Sequence, residues 1–180
     1  MESVAALPNQ PAPTPGARNT PVVEVTRTFQ FSAAHRLRSP HFSEAENARI
    51  YGRCSNPSGH GHTYRLEVTV RGPVSPGTGW MEDRRTLDEL VRSRIVRRFD
   101  RRNLDLLITP ADGPTSTTEV LAGLLWRILD GSLPPGRLWR LRLEETPNNF
   151  FELKREGAPR SARPTFPTPA DRDQKGCQDD

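Results

Sequence analysis

Residues 60–70 read HGHTYRLEVTV, with His60, His62, Tyr64, Leu66, Val68 and Val70 on one face and Thr63, Arg65, Glu67 and Thr69 on the other. A period of two marks a strand with one apolar side. Side chains two apart on a strand point the same way, so both imidazoles leave on the apolar side. Residues 23–35 have the same pattern: Val23, Val25, Arg27, Phe29, Phe31, Ala33 and His35 alternate with mostly polar neighbours, and the run ends on a third histidine. If the two strands are antiparallel neighbours, three of the chain's four histidines converge. Three neutral nitrogen donors suit Zn²⁺, and an open fourth position marks a catalytic rather than a structural site. An isolated His-x-His also fits a glycine-rich turn, with His35 as an ordinary core histidine. The third histidine on a matching apolar face favours the metal.

Working outward, Leu87, Leu90, Val91 and Ile95 fall at helical spacing. Val120, Leu121, Leu124, Leu125, Ile128 and Leu129 do so again after Ser116-x-x-Glu119, a capping-box pattern, and Gly131 is placed for a left-handed cap. LWRLRLEE (138–145) alternates through Trp139, Leu141, Leu143 and Glu145, and TPNN turns the chain into a last strand around Phe150–Lys154. The order β-β-α-α-β-β predicts an α+β domain, a four-stranded antiparallel sheet with two helices layered on one face.

Composition bounds the domain. Residues 1–21 and 156–180 hold nine of the eighteen prolines and few large apolar side chains, so they read as flexible tails around a domain at 22–155. The N-terminus has no apolar leader and no run reaches transmembrane length, which predicts a soluble, cytoplasmic protein with no membrane partner. Two cysteines, one of them Cys177 in a tail, make no disulfide framework. The formal charge of +4 comes with 24 arginines spread along the chain, clustered locally at Arg92, Arg94, Arg97, Arg98, Arg101 and Arg102. That cluster reads as a solvated helix face, with a phosphate-binding surface as the alternative; no nucleic-acid-binding pattern accompanies it, and the charge equally suits an anionic small substrate.

Two further residues stand out. Cys54, in GRCSNPSGHGH (52–62), lies six residues before His60, and the His60-x-His62 spacing is too tight for a zinc finger. It reads as a base or nucleophile beside the metal, or else as a small buried hydrophobe. Glu145 continues the apolar face of Leu141 and Leu143, where a carboxylate is costly unless paired. It either sits at the solvent end of its strand or receives the N–H groups of a flat heterocycle.

FSAAHRL (31–37), EAENARIYGRCSNPSGHGHTYRLEVTV (44–70), LDEL (87–90), FDRRNLDLL (99–107), TSTTEVLAGLLWRIL (115–129) and LRLEETPNNFFEL (141–153) together resemble the 6-pyruvoyltetrahydropterin synthase family over essentially the whole domain. The resemblance implies the T-fold, with subunits closing into trimeric barrels that stack as a hexamer. It implies that His35, His60 and His62 hold Zn²⁺, that Cys54 is the catalytic cysteine, that Asp100 belongs to a proton-relay pair and that Glu145 anchors the pterin. The implied reaction is a lyase step on 7,8-dihydroneopterin triphosphate, with loss of triphosphate, giving 6-pyruvoyltetrahydropterin. The six-residue interval from Cys54 to His60 resembles this branch more than the related 6-carboxytetrahydropterin synthases of deazapurine biosynthesis, which remain the alternative alongside a pterin-binding homologue of impaired activity.

One position departs from the family pattern. Where the family writes Asp-His-x-Asn-Leu, this chain has Asp100-Arg101-Arg102-Asn103-Leu104, so an arginine stands in place of the relay histidine. A guanidinium keeps its proton at working pH and cannot pass it on.

Overall fold

A computed structural model gives the architecture for residues 20–81, 84–108 and 115–156. The terminal stretches read as tails lie outside the described residues apart from their innermost positions, as do Glu82 and Asp83.

Strand β1 (Val22–His35) and strand β2 (His60–Pro73) pair antiparallel along their whole length, from Val22 opposite Pro73 to His35 opposite His60. Between them lie helix α1 (Glu44–Tyr51) and a 3₁₀ turn (Gly52–Ser55). Helix α2 (Arg84–Val91) runs through a π-helical segment (Arg92–Val96) into the short α3 (Arg97–Phe99). Strand β3 (Arg102–Asn103) and the single turn α4 (Asp105–Ile108) follow, then α5 (Thr118–Asp130), β4 (Leu138–Thr146) and β5 (Asn149–Lys154). Among the described residues the sheet therefore has five strands in the order β3-β1-β2-β4-β5, with β3 parallel to β1 and the other pairings antiparallel.

This corrects the expected four-stranded, purely antiparallel sheet. β3 was invisible in the sequence because a two-residue strand has no period to detect. Helix α1 was likewise unforeseen: its one buried residue is the polar Asn47, so it shows no apolar stripe. Its signature lay in Ser43-x-x-Glu46 instead, a reciprocal capping box in which the Ser43 hydroxyl accepts from the Glu46 N–H and the Glu46 carboxylate accepts from the Ser43 N–H. The cap of α5 is also shifted by one residue, since the side chain of Thr117, not Ser116, accepts from the Val120 N–H. Gly131 ends that helix at φ −75°, ψ −11°, so no left-handed cap forms there.

The core lies between the sheet and the helices. Phe29, Phe31, Tyr64, Leu66, Val68, Val70, Leu141 and Leu143 face Leu87, Val91, Ile95 and Phe99 from α2–α3 and Leu121, Leu125 and Leu129 from α5. The first helical set repeats every four residues. A straight α-helix, at 3.6 residues per turn, would carry that stripe away from the sheet, and the wider turn of the π segment brings it back. Arg27 occupies an otherwise apolar face of β1, and Asp88 on α2 meets it with a fork: Nε to Oδ1 at 2.7 Å and Nη2 to Oδ2 at 2.6 Å. The arginine cluster at 92–102 is exposed at every one of its six positions, with Arg97 paired to Glu89. Among the described residues no helix is long and apolar enough to cross a membrane.

The hydrogen bonds from Arg27 hold the Asp88 carboxyl below the usual carboxylate range, and those from Arg38 and Arg36 do the same for Glu44. The unfolded chain therefore takes up these protons at higher pH than the folded one. The resulting stabilisation is complete above about pH 5 and is lost as pH falls through the folded-state values. Urea unfolding midpoints should drop on acidification from about pH 5 to pH 3, and Asp88→Asn should flatten that decline relative to the parent chain.

Candidate functional site

The β1–β2 register builds the site. His35 ends β1 directly opposite His60 at the start of β2, and Ala33 stands opposite His62. The imidazole centroids lie 4.7 Å (His35–His60), 5.3 Å (His35–His62) and 4.8 Å (His60–His62) apart. One ligating atom from each can be chosen such that all three lie within 4.8 Å of one another. Gly59 lets the strands close this tightly: it adopts φ +67°, and a Cβ there would stand 3.0 Å from the His35 carbonyl oxygen.

The His35 ring is only 2% exposed, and its Nδ1 lies 2.8 Å from the Ser116 carbonyl oxygen. A carbonyl only accepts, so Nδ1 carries a proton, and in the neutral imidazole Nε2 then presents a lone pair. That Nε2 is buried and makes no hydrogen bond. A buried acceptor left unmatched costs roughly 1–3 kcal/mol, and a divalent cation would satisfy it. An imidazole whose second nitrogen donates to a backbone carbonyl is the usual arrangement of a metal-binding histidine. The donor set therefore fits Zn²⁺.

Ser116 is held in turn. Its hydroxyl donates to Asp105 Oδ1, and Asp105 Oδ2 accepts the Arg36 N–H at 2.9 Å. In the sequence Ser116 offers itself as a helix cap, and Asp105 belongs to no motif of its own. A carboxylate inside the apolar run Leu104–Ile108 was the available signal for the latter.

Glu145 reaches the same place from β4. The β4–β5 register shifts between Glu144 and Thr146, so Glu145 sits in a bulge, a device that re-aims a side chain. Its Oε1 lies 3.8 Å from His35 Nε2 and 3.7 Å from His62 Nε2. The carboxylate is not at the solvent end of its strand: Thr118 Oγ1 donates to Oε1 at 2.6 Å and Asn149 Nδ2 to Oε2 at 2.7 Å. Tyr64 completes the wall, stacked on Phe31 with centroids 5.2 Å apart. Burial, followed by the charge of Glu145, pushes its phenol above the usual tyrosine range, so it stays a neutral donor.

Cys54 lies on the 3₁₀ turn after α1, partly buried, in a cleft of about 550 Å³ shared with Arg36, Arg53, Asn56 and His60. That cleft reaches the histidine cluster through His60. Asp100 is elsewhere. It follows α3, its Oδ1 accepts the Ser32 N–H at 2.8 Å, and its Oδ2 lies 3.8 Å from Arg101 Nε. Arg101 takes a left-handed backbone conformation, φ 57°, and donates its N–H to the Ser32 carbonyl. Its side chain borders a separate cleft of about 460 Å³ with Ser32, Gly61, His62 and Thr63. Within one chain, then, the three histidines and Glu145 come together and Cys54 adjoins them, while the Asp100–Arg101 pair lies along the β1–β3 edge.

Comparison with known proteins is consistent across sequence and fold. Residues 24–156 match the family model described as 6-pyruvoyl tetrahydropterin synthase. The 6-pyruvoyl tetrahydrobiopterin synthase of Pongo abelii is 40% identical over 133 residues, covering 74% of this chain and 92% of that protein. That of Drosophila melanogaster is 40% identical over 135 residues, covering 74% and 80%. The solved structure of Caenorhabditis elegans 6-pyruvoyl tetrahydropterin synthase superposes with a TM-score of 0.70 at 38% identity, covering 75% of this chain and 96% of that one.

The geometry makes a direct prediction about metal. Purified protein should bind close to one equivalent of Zn²⁺ per chain by elemental analysis. His35→Ala, His60→Ala and His62→Ala should each reduce the bound zinc to trace levels, and undiminished zinc in all three would remove the assignment.

Proposed function

The chain belongs to the 6-pyruvoyl tetrahydropterin synthase family, and we propose that it is a zinc-dependent lyase. Its reaction converts 7,8-dihydroneopterin triphosphate to 6-pyruvoyltetrahydropterin with loss of triphosphate. The supporting observation is the buried Nε2 of His35, in a group of three histidines whose ligating atoms lie within 4.8 Å of one another, bordered by the Glu145 carboxylate. Hydrogens lost from the side chain are gained by the pterin ring, so no external oxidant or reductant is required.

His35, His60 and His62 would hold the metal, which when bound would supply Lewis-acid polarisation of the substrate's side-chain hydroxyls and the adjacent C–H. Glu145 orients the pterin through charge-assisted hydrogen bonds from its amino and ring N–H groups, and Thr118 and Asn149 fix the carboxylate for that task. Cys54 takes the carbon-bound proton as thiolate. Asp100 has one oxygen committed to the Ser32 N–H and the other 3.8 Å from Arg101 Nε, and its role is to orient.

The assembly we propose is a homo-oligomer, a hexamer built as a dimer of trimers, in the cytoplasm. β5 forms one edge of the sheet, and β3 covers only Ala33 and Ala34 on the outer side of β1. Open edges of this length are normally paired or covered, and sedimentation of a stable, fully active monomer would exclude the assembly.

Mass analysis of the products formed from 7,8-dihydroneopterin triphosphate tests the reaction. The pyruvoyl product and free triphosphate are expected, and a product with a cleaved side chain would replace this reading with the carboxy-type reaction. Cys54→Ala should lower turnover by about 10²–10⁴-fold, the usual weight of one acid–base group, and Arg101→His should raise it. Glu145→Gln should keep its zinc and lose substrate affinity; loss of zinc instead would make Glu145 a ligand.

A further inference from the structure

We propose that Arg36 is a positioning residue that fixes the Cys54 loop against the metal ligand His35. It deepens the role given to Cys54 above and rests on that reading only for its effect on turnover.

The loop needs such a fixture. Helix α1, which leads into the 3₁₀ turn carrying Cys54, buries only the polar Asn47. Apolar packing therefore does little to set where the turn sits. Asn47 secures the other end of the helix, where its side chain accepts the Ser39 N–H at 2.8 Å and donates to the carbonyls of Ser39, Phe42 and Ser43.

At the Cys54 end the contacts converge on residues 36–37. The Arg36 Nε donates to the Ser55 carbonyl at 2.7 Å, and its Nη2 donates to Glu44 Oε2 at 2.8 Å. The Leu37 N–H donates to the Cys54 carbonyl at 2.8 Å. One planar guanidinium thus grips both the turn and the first residue of the helix before it, a geometry that a flexible ammonium cannot reproduce. The Glu44 contact is exposed and adds little energy by itself. Its effect is to aim the guanidinium at the Ser55 carbonyl.

The backbone of Arg36 is anchored to the group that supports the metal ligand. Asp105 accepts the Arg36 N–H with one oxygen and the Ser116 hydroxyl with the other, and the Ser116 carbonyl accepts from His35 Nδ1. The imidazole of residue 35 and the guanidinium of residue 36 therefore share one carboxylate as reference point. A shift of about 1 Å in a reacting group can cost roughly 10²-fold in rate, so this tether sets the reach from thiol to substrate.

The test uses zinc-loaded full-length chain carrying Cys177→Ser, which leaves Cys54 as its one thiol. Arg36→Met removes both side-chain hydrogen bonds and keeps the stem, and Arg36→Lys retains the charge. In Arg36→Met, zinc content should stay near one equivalent. Hydrogen exchange at the Leu37 amide should accelerate at least tenfold, the iodoacetamide alkylation rate of Cys54 should change several-fold, and kcat should fall about 10²-fold with little change in KM. Arg36→Lys should lie between this variant and the parent. Parental exchange and alkylation in a folded Arg36→Met protein would overturn the proposal. If Arg36→Met does not fold, Glu44→Gln is read by the same two measurements, with a smaller shift in the same direction supporting the tether and parental values overturning it. Should Cys54→Ala retain full turnover, the kcat measurement fails with the assigned chemistry, whereas exchange and alkylation still decide whether Arg36 holds the loop.

Discussion

The antiparallel register of β1 against β2 is the constraint on which the rest of the molecule depends. Fourteen consecutive residue pairs fix it, from Val22–Pro73 to His35–His60. A slip of one residue would turn every side chain of a strand to the other face, placing Phe29, Phe31 and His35 in solvent. The same hydrophobic pattern that buries the core therefore also sets the imidazoles opposite one another. At one end of this ladder the face is apolar, and at the other it is a cluster of nitrogen donors, with Tyr64 stacked between them on Phe31.

Around that ladder the chain uses hydrogen bonds to place groups that apolar packing cannot place. Three supports meet at the end of β1: the Ser116 carbonyl on His35, the Asp105 carboxylate on Ser116 and Arg36, and the Arg36 guanidinium on the Cys54 turn. Ser116 and Asp105 come from segments distant in sequence, Arg36 directly follows His35, and each fixes a direction as well as a distance. Sites of this kind need such supporting contacts because a side chain held only by burial can change rotamer without great cost.

The numerous arginines divide by environment. On the sheet face away from the helices, Arg140 and Arg142 share Glu67, with Glu152 and Glu144 as further partners, which makes an ion-pair network across β2, β4 and β5. Arg27 instead points toward the helices and is matched by the two oxygens of Asp88. Those at 92–102 stay exposed. The arginines of the described residues thus fall into ion-paired sets on the sheet and a solvated set at 92–102.

Strand pattern, helix spacing and the three histidines were legible in the sequence because periods of 2 and 3.6 are local and repeat over many residues. Those periods gave β1, β2, β4, β5 and the two long helical runs. They also put His60 and His62 on one side of a strand. The family of the chain could be recognised there as well, since its motifs are contiguous. The tertiary structure alone decided the parallel β3, the bulge that turns Glu145 toward the histidines, and the exchange of roles by which Thr117 caps α5 while Ser116 supports His35. It also decided that Asp100 bonds the Ser32 N–H at the sheet edge and that Arg36 reaches the Cys54 turn. None of these has a repeating signature. The Ser116–His35, Asp100–Ser32 and Arg36–Ser55 contacts are single hydrogen bonds between segments that only the folded backbone brings within reach, and the Thr117 cap and the Glu145 bulge are one-residue shifts that no periodic pattern marks.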